Sequence, residues 1–209
     1  MALIKKTVSA PPEEHRHSAR DLSGLLEQLR SDKPDIRRWA ALDLSEHSEA
    51  AEILCRCLEE EQNMAVRDAL FTSLIRINNN AAVKGLIPLL KSEDAALRNG
   101  VIEALRQMPD ALAPYMQDML HDPDSDVRIF TVNVLESLCH PMTPEWLLGV
   151  IEEDTHINVC ATAVDLLAEV GSPEMIASID ALPGRFANDP FLRFAADIAI
   201  RRIRGANPN

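Results

Sequence analysis

Four cysteines and six histidines are the side chains best able to do chemistry in this 209-residue sequence. Cys55 and Cys57 stand two apart, which on a helix turns them to different sides. Cys139 is followed directly by His140, and Cys160 stands alone. Zinc sites use spacings such as CxxC or HxxxH, which bring two ligands to one side of a turn or helix. Neither spacing occurs here, so no metal site and no cofactor is expected. Cys55, Cys57 and Cys160 read as small buried hydrophobes. His15, His17, His47, His121, His140 and His156 fall in polar stretches or at expected helix ends. The acidic run Glu152-Glu153-Asp154 could supply a general acid and base, but it reads as a solvated loop between helices. No serine or cysteine has a local motif that supplies a base, so no catalytic residue is assigned.

The most regular polar series is arginine. Apolar-Arg pairs recur as Ile36-Arg37, Val66-Arg67, Leu97-Arg98, Val127-Arg128 and Leu192-Arg193, and Val159-Cys160 fills the remaining slot. From Arg37 the steps are 30, 31, 30, 32 and 33 residues. Stacked units would align these arginines, each near acids at the start of its own or a neighbouring helix. A structural salt-bridge ladder is the favoured reading. A row of anion-binding arginines is the other, although nearby acids would compete for them.

The elements that carry the series are helices. Seven residues after each anchor comes a large aliphatic residue: Leu44, Leu74, Leu105, Leu135, Leu167 and Ile200. Three residues after come Ala40, Leu70, Val101, Thr131, Ala163 and Ala196. Positions -1, +3 and +7 share one helix face, which is therefore predicted to be buried. Asn63, Asp94, Asp124 and Asp189 stand four residues before an anchor, where their oxygens can cap the free N–H groups of a helix start. Asp32 and Thr155, one residue earlier, are expected to do the same in the first and fifth units. A second apolar segment precedes each anchor helix, for example Leu22-Leu25-Leu26-Leu29 and Leu112-Met116-Leu120. Pro109, Pro141 and Pro173 mark the joints, and Pro183-Gly184 predicts a longer inner loop from Leu182 to Asp189. Each repeat is thus a helix pair of about thirty residues.

Composition agrees. Aromatic residues are 4%, and there are only 7 glycines. That mix suits helices packed by aliphatic side chains rather than a turn-dense β fold. The formal net charge is -12. The first twenty residues carry four cations and two carboxylates, which leaves -14 for the rest. Such a body repels phosphate backbones, and no basic stripe offsets it, so no nucleic-acid partner is expected. No apolar run is long enough to span a membrane. Four cysteines without a disulfide-like spacing point to a reducing, cytoplasmic setting.

Ala82-Val83-Lys84-Gly85-Leu86-Ile87-Pro88-Leu89-Leu90 followed by Asp94-Ala95-Ala96-Leu97-Arg98 resembles a HEAT repeat, as does Asp122-Pro123-Asp124-Ser125-Asp126-Val127-Arg128. The closest type is the short bacterial one, similar to the repeats of phycobilin lyases and related scaffolds. The resemblance covers roughly residues 21–204. It implies an all-α, right-handed α-solenoid (HEAT/ARM-like) of about six helix pairs. Two functions follow from it: a protein-binding scaffold, or a lyase or chaperone-lyase acting on a pigment-bearing client. A di-iron hydroxylase of this architecture would need repeated His-Glu pairs, and the sequence has none. Residues 1–20 and 205–209 read as disordered tails flanking the solenoid.

In HEAT-like stacks the second helices line the concave side, so the resemblance makes their outward positions the candidate partner-binding surface. The 3.6-residue period puts +1, +5 and +8 there. The candidates are Arg38 and Leu42, then Ile75, then Asn99, Glu103 and Arg106, then Ile129, Asn133 and Glu136, and last Phe194 and Ile198. The expected ligand is another protein, as an amphipathic helix or an extended segment. Self-association through Phe191, Phe194 and Ile198 of the last repeat is the rival use.

Overall fold

The computed structural model describes residues 20–206. The predicted tail over 1–20 lies outside the described residues except for Arg20, and the one over 205–209 except for Gly205 and Ala206, which are helical. Among the described residues all regular structure is helical. Two compact units share the chain, one ending at Gly85 and the other starting at Leu86.

The first unit holds α1 (Leu22–Gln28), α2 (Pro34–Asp43), α3 (Ala51–Glu60), α4 (Met64–Ile77) and most of α5 (Asn80–Leu86). α1 packs on α2, α3 on α4, and α2 lies against α4. The second unit holds α6 (Ala95–Arg106), α7 (Pro109–Leu112), α8 (Met116–Leu120), α9 (Ser125–Leu135), α10 (Thr143–Glu153), α11 (Ile157–Val170), α12 (Ile176–Arg185) and α13 (Pro190–Ala206). Here α6, α9, α11 and α13 pack one on the next, and α8, α10 and α12 form a second layer against them. Each unit is therefore a stack of antiparallel helix pairs, the α-solenoid architecture.

The core follows the repeat. Every +3 and +7 residue named above is buried, including Thr131, whose hydroxyl donates to the Val127 carbonyl. At -1, Ile36 alone is half-buried, because α2 opens the stack. Asn63, Asp94, Asp124 and Asp189 each accept backbone N–H groups at the start of their helices. Asp32 and Thr155 do not. In the first repeat the Ser31 hydroxyl accepts the Lys33 N–H, and in the fifth the Asp154 carboxylate accepts the His156 N–H. In both, the bonded N–H is that of the N-cap residue itself, held by a local side-chain turn, and the first-turn N–H groups of α2 and α11 receive no side-chain cap.

Two predicted loops are helical instead. Glu152 and Glu153 belong to α10, and only Asp154 lies beyond it. Pro183 and Gly184 lie inside α12. Pro183 sits in the last turn, where its missing N–H costs only one helical bond, and its buried ring adds packing. The reversal comes later, where Ala187 and Asn188 take positive φ and the Asn188 N–H donates to the Pro183 carbonyl.

Gly85 shows how tightly the first layer packs. A Cβ there would meet Cys55 Sγ at 2.5 Å and Cys55 Cβ at 2.7 Å. Cys55 is buried and cannot swing away. Gly→Ala in a helix ordinarily gains about 1 kcal/mol. Here overpacking costs about 1–3 kcal/mol and reverses the sign. Gly85→Ala is expected to lower the melting temperature by a few degrees, as read by circular dichroism. A rise would show that the contact relaxes freely.

Candidate functional site

The anchor arginines are structural. Arg37, Arg67, Arg98 and Arg128 each donate to the backbone carbonyl six residues earlier, on Ser31, Glu61, Ser92 and Asp122. These bonds, of 2.5–2.9 Å, tie the end of the first helix of a pair to the start of the second. Arg37 and Arg128 also reach the next repeat. Arg37 grips Glu61 at 2.7 and 2.9 Å, and Arg128 grips Asp154 at 2.6 and 3.0 Å, both with two parallel bonds. Arg98 instead stacks its guanidinium over Phe130 at 5.2 Å.

Cys160 keeps the pattern with a thiol, donating to the Asp154 carbonyl at 3.4 Å. The missing guanidinium arrives from α12: Arg185 donates to the same carbonyl at 2.7 Å and to the Ile151 carbonyl. Nothing in the repeat arithmetic pointed to Arg185, because it belongs to the following repeat's first helix. Arg193 departs from the pattern and bonds Asn188 and Asp180.

Electrostatics follows from these bonds. The Arg37 hydrogen bonds, against a smaller opposing effect of burial, hold the Glu61 carboxyl below its ordinary range. Burial pushes the Asp154 carboxyl up, but the Arg128 bonds and the His156 N–H together outweigh it and hold it low. Burial also pushes the Cys55 thiol up to about 12 and the Cys160 thiol up to about 11. Both are neutral thiols at neutral pH, unsuited to nucleophilic attack. Cys57 is half-buried and also raised by burial, while Cys139 is exposed.

None of the eleven candidate partner-binding residues is buried. In the first unit, Arg38 lies half-buried with its guanidinium over Trp39 at 5.0 Å. Leu42 lines a cleft of about 510 Å³ with Ser45, Thr72 and Arg76, and Ile75 is half-buried on α4. In the second unit, four candidates on α6 and at the end of α9 come together as one network. Arg106 donates to the Asn133 carbonyl at 2.7 and 3.2 Å and to Glu136 at 2.6 Å, with Glu103 at 3.5 Å. These groups already join two repeats, so only part of their hydrogen-bonding capacity faces outward. Asn99 is exposed and Ile129 is half-buried.

The remaining two candidates differ in kind. Phe194 is 63% exposed and Ile198 37% exposed, on α13, and Phe191 one turn earlier is 65% exposed. Spaced i, i+3 and i+7, they form one apolar stripe opposite the buried Leu192, Ala195, Ala196 and Ala199. A second cleft, of about 440 Å³, escaped the sequence reading. It lies between α8 and α10, on the first-helix layer, with Trp146 and Glu145 in its wall. Among the described residues no group of side chains is arranged to hold a metal ion, and no helix is long and apolar enough to cross a membrane.

A family model of HEAT repeats matches residues 22–106 and, in a second register, residues 51–125. Among solved structures, the chain is similar to an archaeal HEAT-like repeats protein from Thermococcus onnurineus NA1, at 16% identity and TM-score 0.43, over 88% of this chain and 87% of that one. It is similar to the complex of CpcE and CpcF of phycocyanin lyase from Nostoc sp. PCC7120, at 16% identity and TM-score 0.38, over 97% and 99%. It is also similar to a designed armadillo repeat protein, at 16% identity and TM-score 0.41, over 86% and 98%. No curated protein matches the sequence.

The paired carboxylates set the response to acid. A carboxylate whose pKa is lowered on folding stabilises the fold above its unfolded pKa, and that stability is lost as pH falls through the folded value. Thermal melts of the wild type should therefore fall as pH drops below the ordinary carboxylate range. The double variant Glu61→Gln, Asp154→Asn should melt lower at neutral pH and lose less on acidification. Parallel curves for the two proteins would show that the pairs contribute nothing.

Proposed function

We propose, from the premise that the chain belongs to the HEAT-repeat family, that it is a protein-binding scaffold working through the outward face of its second helices. The observation that carries this reading is the stripe Phe191, Phe194 and Ile198 on α13. Two phenylalanines on adjacent turns of an ordered helix are costly to leave in water. Burial by a partner would return about 1.5–3 kcal/mol for each. The stripe has the i, i+3, i+7 spacing that meets an amphipathic helix, and large aromatic anchors dominate protein interfaces. The network of Glu103, Arg106, Asn133 and Glu136 supports the reading as a pre-ordered polar surface elsewhere on the same face. The pigment-lyase alternative rests on resemblance alone.

The test uses Phe191→Asp and Phe194→Asp, singly and together, beside Leu135→Asp. The first two sites are exposed, so helicity and melting temperature should hold. Leu135 is buried, and a charge there should unfold the stack. Crosslinking in cells followed by mass spectrometry should recover a partner with the wild type and lose it with the phenylalanine variants. Retention of that partner by the folded variants would place binding elsewhere. A wild type that sediments as a dimer, and as a monomer after Phe194→Asp, would make a second copy of the chain the occupant.

A further inference from the structure

We propose that the cleft between α8 and α10 is a binding site for an arginine side chain presented by an extended segment of a partner protein. The cleft follows from an irregularity in the repeat. The first helix of the fourth repeat is broken by Pro114 into α7, a 3-10 turn at Ala113–Tyr115 and the five-residue α8. The first helix of the fifth repeat, α10, is continuous over eleven residues. One face of α10 and its N-cap Met142 are thus left lining a cleft of about 440 Å³, through Glu145, Trp146, Gly149, Val150 and Glu153 at helical spacing. A space of that size takes a long side chain with a few residues of backbone.

The lining selects a cation. Four carboxylates contribute to it, Asp122, Glu145, Glu153 and Asp154, against the single guanidinium of Arg128. Arg128 is committed to Asp154, and Asp122 is paired with Lys91 at 3.1 Å. Glu153 bonds His121 across the end of the cleft at 3.1 Å. With Lys91 beside Asp122 and His121 protonated, four carboxylates still stand against three cations, which leaves the cleft one charge negative. An acidic rim alone would take any cation. The second observation is aromatic: Trp146 lines the cleft, and its ring is held against His140 with centroids 4.7 Å apart and planes 19° apart. A planar guanidinium stacks on an indole and still presents N–H groups to carboxylates in its plane, which a lysine ammonium does not. The stem of the arginine would lie along Met142, Leu120 and Val150.

The probe is the peptide acetyl-Gly-Arg-Gly-Arg-Gly-amide, titrated into the full chain at physiological salt. The Trp146 indole N–H resonance is the readout, assigned by its loss in Trp146→Phe. The expected result is a saturable shift of that resonance. Glu145→Gln together with Glu153→Gln should weaken binding by about fivefold or more at unchanged melting temperature, and Glu145 is exposed, so the fold should tolerate the change. The citrulline analogue of the peptide should be silent. Three results would each overturn the proposal: no saturable shift, equal affinity in the glutamine variant, or equal shifts from the citrulline peptide. Spermidine binding without peptide binding would also overturn it. The cleft is on the first-helix layer, away from the α13 stripe, so failure here leaves the scaffold reading intact. A partner lost by Phe194→Asp would likewise leave this titration unchanged.

Discussion

One hydrogen bond recurs in this protein more faithfully than any other: from the anchor side chain at the start of a second helix to the carbonyl six residues before it. A helix end leaves carbonyls without partners, and a helix hairpin must turn there. A guanidinium on the first turn of the next helix is the right length to satisfy one of them. It fixes the turn without requiring a glycine or a special backbone conformation. Where the same arginine also meets Glu61 or Asp154, one side chain closes its own repeat and joins the next. The burial of the +3 and +7 residues depends on this turn geometry, because the two helices of a pair must meet at a fixed angle for their apolar faces to coincide.

The repeat was legible because its columns recur at near-constant spacing, with leucine in five of the six +7 positions. Leu44, Leu74, Leu105, Leu135, Leu167 and Ile200 sit where the spacing puts them, and so do the four N-caps at 63, 94, 124 and 189. The misreadings came where local chemistry has two solutions. Neither Asp32 nor Thr155 caps the helix that follows, because Ser31 and Asp154 fold back to the N–H of the N-cap residue itself and set the turn there. Pro183 was read as a stop, although a proline in a last turn loses only one bond. The acids at 152 and 153 continue α10 because glutamate is a good helix former and no breaker intervenes before Asp154.

The outward surface was only partly legible. The period alone placed all eleven candidates away from the core. It could not separate residues that bond a neighbouring repeat, such as Arg106, from residues that meet only water, such as Phe194. That distinction depends on the distance between consecutive second helices, which no single repeat encodes. The α8–α10 cleft was invisible for a related reason. It exists because a short, broken helix is followed by a continuous one, and the periodic pattern treats both as the same element.

The substitution at the fifth anchor bears on the order in which the chain can finish folding. At Arg37, Arg67, Arg98 and Arg128, the guanidinium that closes a turn lies only six residues beyond it, so each of these turns is complete as soon as its own helix forms. At Asp154 the thiol of Cys160 is a weaker donor, and the stronger one, Arg185, comes thirty-one residues later. During synthesis the fifth turn therefore gains its stronger donor only with the sixth repeat. A truncation after Val170 would remove not only the last helix pair but also the stronger of the two donors that close the pair before it, leaving the Cys160 thiol alone at the Asp154 carbonyl.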